Sequence, residues 1–178
     1  MSGVGIFIDG DNFFWVQKYN LNWDVDMARL IDFVTKRYGK PDVAKYYMSI
    51  APDEESQTRR RGLRSALATM GYSVEVRKRK EIRQSVSGSV NEENGHRFKN
   101  DVDVVLALDV HNHMSQLDTI ILVTGDSDFL RLLEIAETQR KQMVIMCTQG
   151  AISSELREKA GMNYIDLQDV KEEIVREN

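Results

Sequence analysis

The sequence predicts an α/β fold built on a mainly parallel sheet with helices on both faces. Three observations carry this expectation. Short apolar, β-prone runs recur along the chain, at residues 4–8 (VGIFI), 119–123 (TIILV) and 143–147 (MVIMC). Between them lie segments with apolar residues at three- and four-residue spacing, such as Met27, Leu30, Ile31 and Val34, which is the mark of an amphipathic helix. Strands that alternate with helices require crossover connections, and crossovers make neighbouring strands parallel.

The order of elements follows. Residues 4–8 form a buried strand that ends at Asp9, with residues 9–12 as a turn and a short helix over 13–19. A helix over 24–38 opens on an Asp cap and stops at Gly39 and Pro41. A strand at 43–50, a helix at 53–70 closed by Gly71 and a strand at 73–79 come next. Residues 81–97 hold Ser, Gly and Asn with little apolar content and are expected to form a long mobile loop; loops of that length in compact domains are often functional. An apolar helix over 100–114, capped by Asn100 or Asp101, leads to the strand at 119–123. The turn 124–128, a helix at 129–140, a strand at 143–147, a helix at 152–160, a short strand at 164–167 and a terminal helix at 169–176 complete the chain. No repeat is visible, and 178 residues suit one domain, 1–178.

Composition narrows the class. Hydrophobic residues make up 42% and charged residues 29%, the profile of a soluble globular chain. A single cysteine, Cys147, excludes an internal disulfide and points to a reducing, cytoplasmic setting. No apolar run has the roughly 18 residues of a membrane helix, and the first residues lack the basic region of a secretory signal. The net charge of −4 gives no general attraction to nucleic acid. Residues 57–83 nonetheless carry nine bases against two acids, so the remainder is strongly acidic. Such asymmetry suggests a basic face beside an acidic one, although a charge run by itself is usually a solvated surface.

In parallel α/β folds ligands bind beyond the carboxyl ends of the strands. Two acidic turns follow strands, Asp9-Gly10-Asp11-Asn12 and Thr124-Gly125-Asp126-Ser127-Asp128, so they can converge. Converging carboxylates repel in a partly desolvated cleft, and a hard divalent cation such as Mg²⁺ or Mn²⁺ removes that cost. Asp126 and Asp128 both face the site if Ser127 is extended; Asp128 is structural if it caps the next helix. A third source is the helix start Lys99-Asn100-Asp101-Val102-Asp103. There i and i+2 point apart, so Asp101 and Asp103 should not serve one metal equally. An acid in a first turn is otherwise explained by the helix dipole. Asp109, six positions beyond Asp103, lies on another face within an apolar run. It needs a partner, expected in a neighbouring loop.

These motifs resemble the NYN domain, more narrowly its LabA-like branch: Ile8-Asp9-Gly10-Asp11-Asn12, the helix start through Asp103 to Asp109, and Val123-Thr124-Gly125-Asp126-Ser127-Asp128-Phe129 occur in the family's order. The resemblance spans about residues 3–167. It implies a PIN-like, three-layer α/β/α sandwich and a metal-dependent ribonuclease. It further implies Asp9 as the first-strand ligand, Asp103 as the helix ligand, and Asp126 and Asp128 completing the set, with Asn12 positioning a ligand or holding the turn. Where the family usually has Lys-Gly before Val-Asp, this chain has Lys99-Asn100-Asp101, so Asp101 is an additional acid. Asp11, Asp101 and Asp109 are auxiliary candidates. Lys99, Arg59, Arg60 and Arg79 are candidates for holding RNA phosphates. PIN-like proteins often dimerise, so a homodimer is also admitted.

Other features are weaker. His111 and His113 are two apart on a helix, so a zinc site is not expected. Cys147 reads as buried packing. Trp15, Tyr19 and Trp23 read as core or a helix-packing patch, with Trp15 the best candidate for base stacking. Two functional alternatives stand beside the ribonuclease. One is a regulatory RNA-binding protein with little turnover. The other is a haloacid-dehalogenase-type phosphatase with Asp9 as nucleophile and Asp11 as general acid.

Overall fold

The computed structural model describes residues 3–50, 54–78, 80–82, 97–99 and 101–177. Six strands form one sheet in the order β3-β2-β1-β6-β7-β8, every neighbouring pair parallel. They are β1 (Val4–Asp9), β2 (Val43–Ile50), β3 (Ser73–Lys78), β6 (Thr119–Val123), β7 (Gln142–Cys147) and β8 (Tyr164–Asp166). Two short strands, β4 (Lys80–Ile82) and β5 (Arg97–Lys99), pair antiparallel with each other. The expected loop over 81–97 is corrected at its two ends by this ribbon, which begins directly after β3. Alternating side chains carry no core signal in a three-residue strand, and none was visible. Residues 83–96, with Arg79 and Asn100, lie outside the described residues.

Strand parity separates two cores. From β1, Val4, Ile6 and Ile8 point to one face, where Phe13 of α1 (Gly10–Val16), Leu30, Phe33 and Val34 of α2 (Met27–Tyr38), Leu67 of α3 (Glu54–Thr69) and Ile174 of α7 (Lys171–Ile174) pack. Phe7 points to the other, against Leu106 and Val110 of α4 (Val102–His113), Leu132 and Leu133 of α5 (Leu130–Thr138) and Leu156 of α6 (Ser154–Ala160). The result is the expected three-layer α/β/α arrangement. Burying one such large apolar side chain contributes about 1.5–3 kcal/mol, so the two faces hold the sheet firmly between them. No helix among the described residues is long and apolar enough to cross a membrane.

Several boundaries differ from expectation, each for a local reason. The first helix starts at Gly10 rather than Phe13, because the Asp9 carboxylate caps it by accepting the Asn12 amide at 3.1 Å. It then widens into a π-helical turn over Gln17–Leu21. The second helix starts at Met27, where Asp26 and not Asp24 accepts the Ala28 and Arg29 amides. Val25 instead bridges Val175, which also shortens the terminal helix to four residues. Gly39 and Gly71 close α2 and α3 as expected, at φ of +104° and +94° that other residues adopt only under strain.

Candidate functional site

The carboxyl ends of β1 and β6 are neighbours, with Ile8 opposite Val123. Asp9 and Thr124 are the next residues of the two strands and lie on the α4 side of the sheet by parity. Asp9 is only 2% exposed. Its Oδ1 accepts the Asn12 amide at 3.1 Å and its Oδ2 accepts the Thr124 hydroxyl at 3.0 Å. Thr124 Oγ1 accepts the Asp126 amide at 3.3 Å, and Asp126 Oδ1 accepts the Asp128 amide at 3.0 Å. The Asn12 side chain crosses to the second turn, where its Oδ1 accepts the Gly125 amide at 3.0 Å. The two acidic turns are therefore stitched together by Asn12 and Thr124. Their glycines let each turn pack against its flank: a Cβ on Gly10 would collide with the Tyr46 ring, and one on Gly125 with the Ala151 carbonyl.

Asp103 comes from the first turn of α4, half-buried, with no hydrogen bond or ion pair among the described residues. Burial pushes its carboxyl above the ordinary value, and Asp126, Asp11 and Asp128 push it further. Asp9 is raised to about 7, first by burial and then by Asp103 and Asp11, against the lowering effect of its Asn12 and Thr124 bonds. Asp103 thus feels the charge of Asp126, Asp11 and Asp128, and Asp9 that of Asp103 and Asp11. Among the described residues, none of Asp9, Asp103, Asp126 and Asp128 has a cationic side chain as partner. Among the same residues, no three acidic, histidine or cysteine side chains stand in position to hold one ion. The donor set is the hard-oxygen, charge-uncompensated type that Mg²⁺ or Mn²⁺ takes. Its members approach closely enough to repel and are not closed around a common point.

The other predicted residues divide. Asp11 turns away from Asp9: its oxygens accept the Ser49 amide at 3.1 and 3.2 Å, and Arg60 Nη2 lies 3.8 Å from Oδ1. Asp126, not Asp128, caps the short 3₁₀ turn Ser127–Phe129, so Asp128 is an exposed residue inside the turn rather than the cap. Asp101 occupies the cap position of α4 but its side chain makes no cap bond. Asp109 binds strand β2, not a loop: Lys45 Nζ and the Tyr47 hydroxyl donate to Oδ2 at 2.8 and 2.9 Å. This correction follows from α4 lying directly over β2, a contact no local pattern announces. Lys99 sits in β5, but its side chain and that of Arg59 lie outside the described residues, as does Arg79 altogether.

Sequence reasoning missed Thr124, although a hydroxyl directly before Gly-Asp at a strand end was the signal. It also misplaced the aromatics after Asp9. Trp15 is 44% and Tyr19 61% exposed, their rings stacked at 5.2 Å with 8° between planes, and Lys18 Nζ lies over both. Trp23 does pack on the core and donates to Gln168. His111 is exposed, and His113 Nδ1 lies 2.7 Å from the Asp109 carbonyl oxygen. Cys147 is buried, which pushes its thiol up to about 12, in keeping with packing.

Comparison with known proteins agrees with the motifs. The family model described as "NYN domain" matches residues 3–168. The chain is 33% identical over 172 residues to the low amplitude and bright protein LabA of Synechococcus elongatus, covering 96% of this chain and 86% of that one. The crystal structure of a protein of unknown function from Vibrio parahaemolyticus shares the fold at a TM-score of 0.72, with 19% identity over 98% of this chain and 96% of that one. The chain belongs to the NYN domain family, a PIN-like nuclease-type family, and resembles its LabA-like branch over nearly its whole length.

Proposed function

We propose that the protein is a metal-dependent ribonuclease whose Mg²⁺ or Mn²⁺ is held by Asp9, Asp103, Asp126 and Asp128. The observation that carries this reading is the gathering of these four acids from β1, α4 and the turn after β6 without a cation supplied by the described chain. Keeping such a cluster costs stability that a structural role would not require. A bound divalent ion supplies charge neutralisation, a more acidic water and polarisation of the phosphodiester. The chain's own residues do the rest. Asn12 and Thr124 fix the two acidic turns against each other. Thr124 holds Asp9 Oδ2 in one direction, and α4, on the same side of the sheet, presents Asp103 from its first turn.

The partner is RNA, bound through its phosphates, in a cytoplasmic protein. A homodimer is the second partner; Val104 and Leu108, exposed on α4, offer it an apolar face. A haloacid-dehalogenase-type phosphatase is disfavoured, since both Asp9 oxygens are engaged and the proposed general acid, Asp11, is bound to Ser49 and faces Arg60. The regulatory alternative, RNA binding with little turnover, draws on the acids' not being closed around one point. The test is cleavage of single-stranded and structured RNA with Mg²⁺ or Mn²⁺. Activity that vanishes in folded Asp9→Asn and Asp126→Asn supports the nuclease, and robust cleavage by those variants refutes it. Binding of metal and RNA without product over a broad panel selects the regulatory reading.

A further inference from the structure

Two strands from Asp9, at the same edge of the sheet, the charge reverses. Ile50 and Lys78 are the last residues of β2 and β3 and stand opposite each other in register. Over them, Arg60 and Arg61 stand four and three residues before Arg64 on α3, so each neighbours it on the helix surface. Together with Gln57 and Val76 these residues line a cavity of about 210 Å³ that contains four cations and, among the described residues, no acid. Among the described residues Arg61, Arg64 and Lys78 have no acidic partner. Arg60 connects the cavity to the acidic site, since it lies 3.8 Å from Asp11. Adjacent strands are about 4.8 Å apart and Lys78 stands three residues beyond the level of Asp9, so the end of β3 lies about 14 Å from the end of β1, on the α3 side of the sheet.

We propose that this cavity is a phosphate subsite for the RNA strand whose scissile bond lies at the carboxylates. This rests on the ribonuclease reading and adds to it where the strand is gripped. Four like charges lining one small cavity repel, and an anion there removes the repulsion. A phosphate suits the guanidiniums, which bind its oxygens in pairs. The floor of Ile50 and Val76 is apolar and Gln57 is the uncharged polar side chain of the described lining, so recognition is mainly of charge and shape. The subsite gives a protein of net negative charge a local hold on a polyanion.

The test is binding without cleavage. A fluorescent single-stranded RNA is titrated with the full-length protein in EDTA, by anisotropy, at several salt concentrations. The wild type is expected to bind. Arg61→Ala/Arg64→Ala is expected to bind about five- to tenfold more weakly at low salt, with a salt dependence shallower by about 0.7 in log–log slope for each phosphate no longer neutralised. Arg61→Lys/Arg64→Lys should keep most of that slope. Lys36→Ala, an exposed cation on α2 outside the cavity, should bind as the wild type does. Matching thermal unfolding curves establish that the variants are folded, as expected for two exposed arginines. Comparing 5′-phosphorylated with 5′-hydroxyl RNA identifies the phosphate. A 5′-phosphate preference that disappears in the alanine pair assigns the cavity to the chain end, and equal weakening of both RNAs assigns it to an internal phosphodiester. No binding by the wild type, unchanged binding by the alanine pair, or a lysine pair as weak as the alanine pair overturns the proposal. Because no metal is present, these outcomes are independent of whether RNA is cleaved.

Discussion

Asp103 and Asp109 are the same residue type on the same helix, and they meet opposite surroundings. Asp109 receives Lys45 and Tyr47 from β2. Burial alone would raise its carboxyl, but the hydrogen bonds from Lys45 and Tyr47 together with the charges of Lys45 and His113 hold it below the ordinary value. Asp103, about 1.7 turns earlier, is raised first by burial and then by the charges of Asp126, Asp11 and Asp128, and has no cationic partner among the described residues. Among the described residues, the chain thus furnishes a counterion where an acid pins helix to sheet and none where, under the proposed function, a metal enters. Asp109 also ties α4 to β2.

Activity should separate the two acids most widely. With Mn²⁺, Asp103→Asn is expected to slow single-turnover cleavage of a labelled RNA by at least about 100-fold, since losing even a group that only orients a ligand costs 10–100-fold. Asp109→Asn should stay within about tenfold of wild type. Equal losses in both variants would erase the distinction between ligand and tether.

Metal-dependent stability sharpens it next. Mn²⁺ at about 100 times its Kd adds about 2.7 kcal/mol to a protein that binds it only when folded, a rise of about 5–10 °C in Tm. That rise should persist in Asp109→Asn and be largely lost in Asp103→Asn. A smaller change is expected from the tether in EDTA. Asp109→Ala leaves Lys45, about a quarter exposed, facing no acid and should cost about 1–2 kcal/mol at pH 7. Because folding lowers the Asp109 pKa, its contribution is complete above the ordinary value of 3.8 and is lost as pH falls through the lower folded value. The difference between Asp109→Ala and wild type in urea melts should therefore shrink below about pH 4.

The smallest effect has the opposite sign. In EDTA at pH 8, Asp103→Asn should raise Tm by about 1–3 °C, because it removes a half-buried charge among like charges. Folding raises the Asp103 pKa, so this gain exists only where the wild-type carboxyl is ionised and disappears in acid. A lower Tm at pH 8 would mean that Asp103 is stabilising and that the comparison with Asp109 fails.

Sequence and structure agree where local pattern decides the outcome. Runs such as 119–123, apolar at every position after the first, are buried on both faces of a parallel sheet and could be little else. The glycines at 39 and 71 close their helices because a positive φ is needed there. The acid positions were readable because strand ends must lie at one edge of the sheet. What stayed hidden depends on partners far away in the chain. Lys45 finds Asp109 across 64 residues, Arg60 finds Asp11, and Thr124 reaches Asp9 across 115. No periodicity encodes those meetings. Trp15 and Tyr19 misled for a related reason: aromatic residues on a short helix are core by default, and only the sheet's position shows that this face of α1 meets solvent.

The claim on which the rest depends is that these acids hold a divalent cation. A crystal soaked in Mn²⁺ tests it most directly, through anomalous scattering. The account predicts a peak bound by oxygens of Asp9, Asp103 and the Asp126–Asp128 turn at about 2.1 Å. A bare acidic edge, or manganese bound only elsewhere on the molecule, would contradict it.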